Sequence, residues 1–201
     1  MRVKTERKRN ELVRAAAQVF LARGFDRTLM SEVSERAGCS KGTLYRYFAS
    51  KEDLYFAVIM ELTASGTQPI FDTVTGPEVN FEDQLQRFGI EFVKAAYSPQ
   101  FQAMRRLVFA PSENQTVSRT VYETAVEPYL VRTTEFISQA MDDGKLRRSD
   151  PQVVAWHLCG LLESELMLRS LLHALPDMSP MQLEAVAGRA IAAFLAAYSP
   201  R

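Results

Sequence analysis

A chain of 201 residues that is 47% hydrophobic holds one large domain, or a small and a medium one, and buries a core too large for a disordered protein. Cys39 and Cys159 are too few and too far apart for a disulfide framework and read as small buried hydrophobes in a reducing compartment. The net charge of zero conceals an asymmetry: residues 1–52 carry twelve Lys/Arg against six Asp/Glu, and residues 53–201 carry the opposite balance. A basic head on an acidic body is the distribution of a nucleic-acid-binding segment joined to something else.

No apolar region follows the basic stretch Met1–Arg9, and no run of roughly 18 apolar residues occurs, so neither a secretory signal nor a membrane span is expected. The expectation is a soluble cytoplasmic protein.

Along the chain almost every segment reads as helix. Leu12, Val13, Ala16, Val19 and Phe20 have the spacing of an amphipathic helix over about Glu6 to Arg23, ended by Gly24, with Phe25 free to fold back. Thr28 is the expected N-cap of a short helix closing near Ala37-Gly38, and Ser40 that of another running to Phe48. Ser50-Lys51-Glu52-Asp53 resembles a capping box and opens a longer helix through Leu54, Val58 and Leu62. Gly76-Pro77 breaks the chain. Phe81, Leu85, Phe88 and Phe92 mark the next helix, ending near Ser98-Pro99. One follows over about Gln100 to Ala110, stopped by Pro111, and another over Gln115 to Asp143, split or kinked at Pro128. Ser149-Asp150-Pro151 starts a helix to about Ala174, and Ser179-Pro180 starts the last, to Tyr198. The expected fold is all-α, with about nine helices. The expected domains are a three-helix DNA-binding head over 1–52, a connecting helix over 53–76, and a larger helical bundle over 77–201.

The pair 29–37 and 40–48 has the dimensions of a helix-turn-helix, with Ala37-Gly38 as its tight turn. In the second helix Leu44 and Phe48 face inward, Thr43, Arg46 and Tyr47 outward, and Tyr45 lies at the boundary. Hydroxyls, a guanidinium and amphipathic rings suit phosphates and base edges. Ser40, Lys41 and Gly42 offer free N–H groups and a cation to a phosphate, and Gly42 lets backbone approach DNA closely. Lys51 is a further phosphate candidate.

The string from Gly24 to Leu54, G-F-D-R-T-L-M-S-E-V-S-E-R-A-G-C-S-K-G-T-L-Y-R-Y-F-A-S-K-E-D-L, resembles the DNA-binding domain of the tetracycline-repressor (TetR) family. A-A-A-Q-V-F at 15–20 matches that domain's first helix, and the likeness covers about the first 60 residues. Val33, Ser34 and Cys39 depart from the commoner residues, at packing positions. The resemblance implies phosphate contacts from Thr28, Tyr47 and Lys51. It places Ser40, Lys41 and Gly42 at the major-groove rim, with Thr43 on a phosphate or base edge. Tyr45 would stack on a base or meet a thymine methyl, unless it packs against the first helix. Arg46 would read guanine bidentately or simply add charge.

The body is less legible. R-R-L-V-F-A at 105–110 and the turn at 143–147 weakly resemble an AefR-like group of C-terminal regulatory domains, which in the family dimerise the protein and hold an inducer. No P-loop, dinucleotide fingerprint, H-E-x-x-H or G-x-S-x-G occurs, so no catalytic residue, cofactor or metal is expected; His157 and Cys159 point to different helix faces. Gly160-x-x-x-Ser164 and the row Ala185, Gly188, Ala192, Ala196 suit a homodimer interface through the last two helices, or close packing inside one subunit. Phe88, Phe92, Phe109, Tyr122, Trp156, Glu163 and Met167 are the candidate ligand-binding residues, against a plain-core reading of the aromatics. Glu163, a carboxylate among apolar neighbours, needs a partner: a ligand, or Arg105, Arg106 or Arg132. The expected function is a repressor released from a pseudo-palindromic operator by a small apolar or amphipathic inducer. The alternatives are an activator or ligand-independent regulator, and a helical enzyme or scaffold with a basic arm.

Overall fold

A computed structural model of the chain describes residues 5–72, 80–108 and 115–200, and the side chains of these except 63–72, 108, 115 and 125. All the described regular structure is helical. In chain order the helices are α1 Glu6–Arg23, α2 Met30–Arg36, α3 Lys41–Tyr47, α4 Lys51–Asp72, α5 Phe81–Ala96 and α6 Pro99–Val108. There follow α7 Gln115–Val121, a π-helical turn Tyr122–Val126, α8 Glu127–Asp142, α9 Pro151–Glu163, α10 Met167–Leu171 and α11 Pro180–Tyr198. Counting 115–142 as one continuous rod, the described residues form ten helices, close to the expected number. The expected breaks at Gly76-Pro77 and Pro111 lie outside the described residues.

Most helix starts are where short polar residues promised them. Ser40 Oγ accepts the Thr43 N–H at 3.1 Å, and Ser50 Oγ accepts the Asp53 N–H at 3.0 Å. Asp150 Oδ1 accepts from Gln152 and Val153, and Ser179 exchanges bonds with Gln182 in a complete capping box. Each bond satisfies a backbone donor that the helix itself leaves unpaired.

Three features differ from the sequence reading. The N-cap of α2 is Leu29, not Thr28: the Glu32 carboxylate, at the third helical position, accepts the Leu29 N–H at 3.1 Å. The helix through Pro128 neither splits nor simply kinks, but widens into the π turn just before it. Proline has no N–H for the carbonyl four residues back and its ring crowds that carbonyl, so the turn shifts partners. The helix opened by Pro151 stops at Glu163, where Ser164 and Leu166 donate three residues back, to Leu161 and Glu163, instead of four. α10 then ends on His173, which takes the left-handed conformation (φ 54°) while the Ala174 N–H closes onto the Arg169 carbonyl.

The chain divides into two compact units, Met1–Ser65 with Ala103–Ala125, and Gly66–Gln102 with Val126–Arg201. In the first, Leu12, Val13, Ala16 and Phe20 of α1 are buried with Val33, Leu44, Phe48, Leu54, Tyr55, Val58 and Ile59. The end of α6 belongs to this unit: the buried Tyr55 hydroxyl donates to the Leu107 carbonyl at 2.9 Å. In the second unit α5, α8, α9 and α11 enclose a core of Leu85, Phe88, Ile137, Leu158, Leu162, Ile191 and Phe194, with Phe88 stacked on Phe136 at 5.9 Å.

Candidate nucleic-acid interface

Gly38 takes φ +59° between α2 and α3, and the Cys39 N–H reaches back to the Ser34 carbonyl at 3.0 Å, closing the tight turn expected of a helix-turn-helix. Leu44 and Phe48 are buried beneath α3, as their spacing required. Lys41, Gly42, Tyr45 and Arg46 are exposed. Tyr45 is 49% exposed, so about half of its surface is open to an outside molecule. Neither Lys41 nor Arg46 has a carboxylate partner among the described residues. The Arg46 guanidinium lies 5.7 Å from the centroid of the Tyr47 ring. A Cβ placed on Gly42 would meet nothing closer than Ser40 Oγ, at 3.9 Å. Packing within the chain therefore does not require glycine there, and the open space is available to an outside molecule. Thr43 is half-buried, its hydroxyl 3.0 Å from that of Ser40. Tyr47 accepts the Thr5 N–H on its hydroxyl oxygen at 3.1 Å and so keeps its own hydrogen to donate.

Two expected contact residues point elsewhere. Thr28 is 1% exposed, and its hydroxyl donates to the Gly24 carbonyl at 2.7 Å, so it closes the α1–α2 turn from inside. The Lys51 ammonium donates to the carbonyls of Phe25, Asp26 and Thr28 at 2.9, 3.2 and 3.3 Å. An ammonium has three hydrogens, and this geometry engages all of them with the protein's own backbone. Glu32 was missed although the sequence signals it: an acid three residues after Leu29 marks the cap, and it also pairs with Arg23 at 3.1 Å.

Comparison with known proteins bears on the same segment. Residues 12–58 match the model described as "Bacterial regulatory proteins, tetR family", and residues 83–200 match "AefR-like transcriptional repressor, C-terminal domain". The chain belongs to the TetR family of transcriptional regulators. It carries that family's helix-turn-helix DNA-binding domain and an AefR-like C-terminal domain, and the family is one of regulators, not enzymes. The transcriptional activator FasR of Mycolicibacterium smegmatis is 38% identical over 90 residues, 43% of this chain and 41% of that protein. The matched part thus spans about two fifths of that relative's length. A crystal structure of a TetR-family regulator from Mesorhizobium loti superposes with a TM-score of 0.84 at 28% identity, covering 98% of this chain and all of that one. The flavonoid-responsive regulator FrrA superposes at 0.80, also at 28% identity, with the same coverage.

In the C-terminal part, the candidate ligand residues are not brought together as one set. Phe88 and Phe92 are core residues, their rings 6.2 Å apart. Trp156 is 53% exposed and Met167 40%, so both face outward, on two helices separated by the break after Glu163. Tyr122 is exposed in the π turn and belongs to the other unit, and Phe109 lies outside the described residues. Glu163 accepts from the Tyr97 hydroxyl at 2.5 Å. Nearby the Tyr129 hydroxyl and Cys159 thiol meet at 3.5 Å, and burial pushes the thiol up to about 11 and the phenol well above its usual range. The raised value favours the protonated thiol at neutral pH. No metal-binding cluster of His, Cys, Asp and Glu occurs among the described residues, and none of their helices is long and apolar enough to cross a membrane.

Proposed function

We propose that this regulator is a cytoplasmic homodimeric repressor. Two α3 helices grip a pseudo-palindromic operator, and a small apolar or amphipathic molecule releases them by binding the C-terminal part. The observation that carries the DNA half is the outward face of α3, where Lys41, Tyr45 and Arg46 are exposed beside the open space at Gly42. Ser40, Lys41, Gly42 and Thr43 then sit at the groove rim, Tyr45 on a base or thymine methyl, Arg46 on a base edge and Tyr47 on a phosphate. Residues 1–52 read DNA, 53–76 connect, and 77–201 dimerise and bind the inducer.

Dimerisation through the last helices is supported by large apolar side chains that one subunit leaves exposed on them. Val153, Trp156, Leu168, Leu172 and Met181 are exposed, and nothing lies within 4 Å of a Cβ built on Gly160. Repression is supported by the description of the matching C-terminal family, and a small apolar or amphipathic inducer by the likeness to a flavonoid-responsive regulator. The Phe92–Tyr129 ring pair and the Tyr97–Glu163 hydrogen bond combine aromatic and polar groups in this part of the chain, a mix that suits such a molecule. Release requires the inducer to prefer the DNA-incompetent state, since equal affinity for both states shifts nothing.

The second reading, activation, is favoured by the similarity to FasR, named as an activator. Deleting the gene and measuring transcripts of its neighbours decides between them. A rise supports repression; a fall assigns activation. Binding of the chain to a duplex selected from a random pool, and loss of that binding in a folded Tyr47→Ala variant, tests the DNA half.

A further inference from the structure

Two contacts tie the first turn of α1 to the end of the recognition helix. The Thr5 N–H donates to Tyr47 Oη at 3.1 Å, and the Arg9 guanidinium lies over the Phe48 ring at 5.5 Å. Thr5 and Arg9 are one helical turn apart on one side of α1, as Tyr47 and Phe48 are consecutive at the end of α3. The three cations of this turn are not equivalent. Lys8 pairs with Glu11 at 3.0 Å and Arg7 approaches it at 3.9 Å, whereas Arg9 has no carboxylate partner among the described residues. The Tyr47 hydroxyl, having accepted from Thr5, has one hydrogen left and no acceptor for it among the described residues. A guanidinium and an O–H donor at the same junction of α1 with α3, neither with an acceptor among the described residues, suit an oxyanion that only accepts.

We propose that Arg9 and the Thr5–Tyr47 pair form a phosphate site that extends the DNA interface from α3 onto α1. Arg9 binds the phosphodiester directly. Thr5 is a positioning residue: its N–H fixes the Tyr47 hydroxyl as a donor and, by polarising it, strengthens the bond it gives. The proposal rests on the DNA-binding reading and adds to it a contact outside the helix-turn-helix.

The test titrates the full chain with a duplex selected from a random pool, over a series of salt concentrations. Arg9→Met removes the charge and leaves an unbranched apolar side chain in its place. It should lower the slope of log affinity against log salt by about 0.9, one phosphate's worth, while Arg9→Lys preserves it. Thr5→Pro deletes the N–H and should weaken binding roughly three- to tenfold, the worth of one hydrogen bond. In a Tyr47→Phe background Thr5→Pro should have no further effect, a coupling that damage to the helix start alone would not produce. An unchanged salt slope in Arg9→Met, or an equal Thr5→Pro loss in the Tyr47→Phe background, overturns the proposal while wild-type binding stands. A wild-type chain that selects no duplex overturns the DNA-binding reading itself.

Discussion

The Lys51 ammonium donates to the Phe25 carbonyl at 2.9 Å and lies 4.4 Å from the centroid of the same residue's ring. With its bonds to Asp26 and Thr28, this makes Lys51 a clamp on the turn that delivers the chain from α1 to α2. A motif lysine thus shapes the reading head through its own backbone.

Lys51→Met should therefore act first on stability, lowering it by about 1–3 kcal/mol through loss of charge-assisted hydrogen bonds. A denaturant titration measures this. The salt dependence of DNA binding should keep its slope. Unchanged stability with a slope reduced by about one phosphate would return Lys51 to the DNA backbone.

Tyr55 gives an expectation in pH. Burial first, and the negative Asp26 second, push its phenol from 10 up to about 12. Folding favours the neutral phenol, so its contribution is complete below pH 10 and is lost as pH rises toward 12. Tyr55→Phe should cost about 1–2 kcal/mol at neutral pH, because the Leu107 carbonyl loses its donor. It should also flatten the alkaline decline, leaving the shares due to Tyr129 and Cys159, whose phenol and thiol burial likewise raises. Denaturation curves across this range check both; a decline as steep as wild type's would show that Tyr55 does not titrate there.

Gly89 and Gly160 should respond oppositely to a larger side chain. A Cβ on Gly89 would stand 3.0 Å from Ile191 Cγ1 and 3.2 Å from Leu162 Cδ2, both in the core, so Gly89→Leu should destabilise the fold by about 1–3 kcal/mol or more. A Cβ on Gly160 meets nothing within 4 Å, so Gly160→Leu should leave the melting temperature of the monomer intact or raised. Its effect should appear in sedimentation, as monomer at micromolar concentration. A Gly160→Leu protein that stays dimeric with wild-type affinity would place the interface elsewhere.

Arg46 is exposed, with its guanidinium beside the Tyr47 ring. Arg46→Ala should lose about 1–3 kcal/mol of binding concentrated at one operator base pair, the signature of base readout. Affinities for a panel of single-base operator variants measure it. A uniform loss across the panel would assign Arg46 to the phosphates.

What the sequence by itself determined is what forms between near neighbours. Ser40, Ser50, Asp150 and Ser179 announce helix starts because a cap is one hydrogen bond across two or three residues. Leu44 and Phe48 announce the buried side of α3 because helical periodicity is local, and Gly38 announces the turn because that backbone conformation strains a side chain. Even Leu29 was legible as a cap through Glu32. The tertiary structure decided which groups lacking a nearby partner would find a distant one. Lys51 and Tyr47 look alike in the sequence, as polar residues on a basic head. Lys51 reaches carbonyls some 25 residues earlier, while Tyr47 accepts an amide 42 residues away and keeps a hydrogen to give. Trp156 and Met167 would share a face only on one straight helix; the turn after Glu163 puts them on separate helices. Residues 103–125 joined the N-terminal unit through contacts such as Tyr55 with Leu107, 52 residues apart. Periodicity reports which side of a helix seeks burial, but the choice among the surfaces able to supply it is made only when the whole chain has packed.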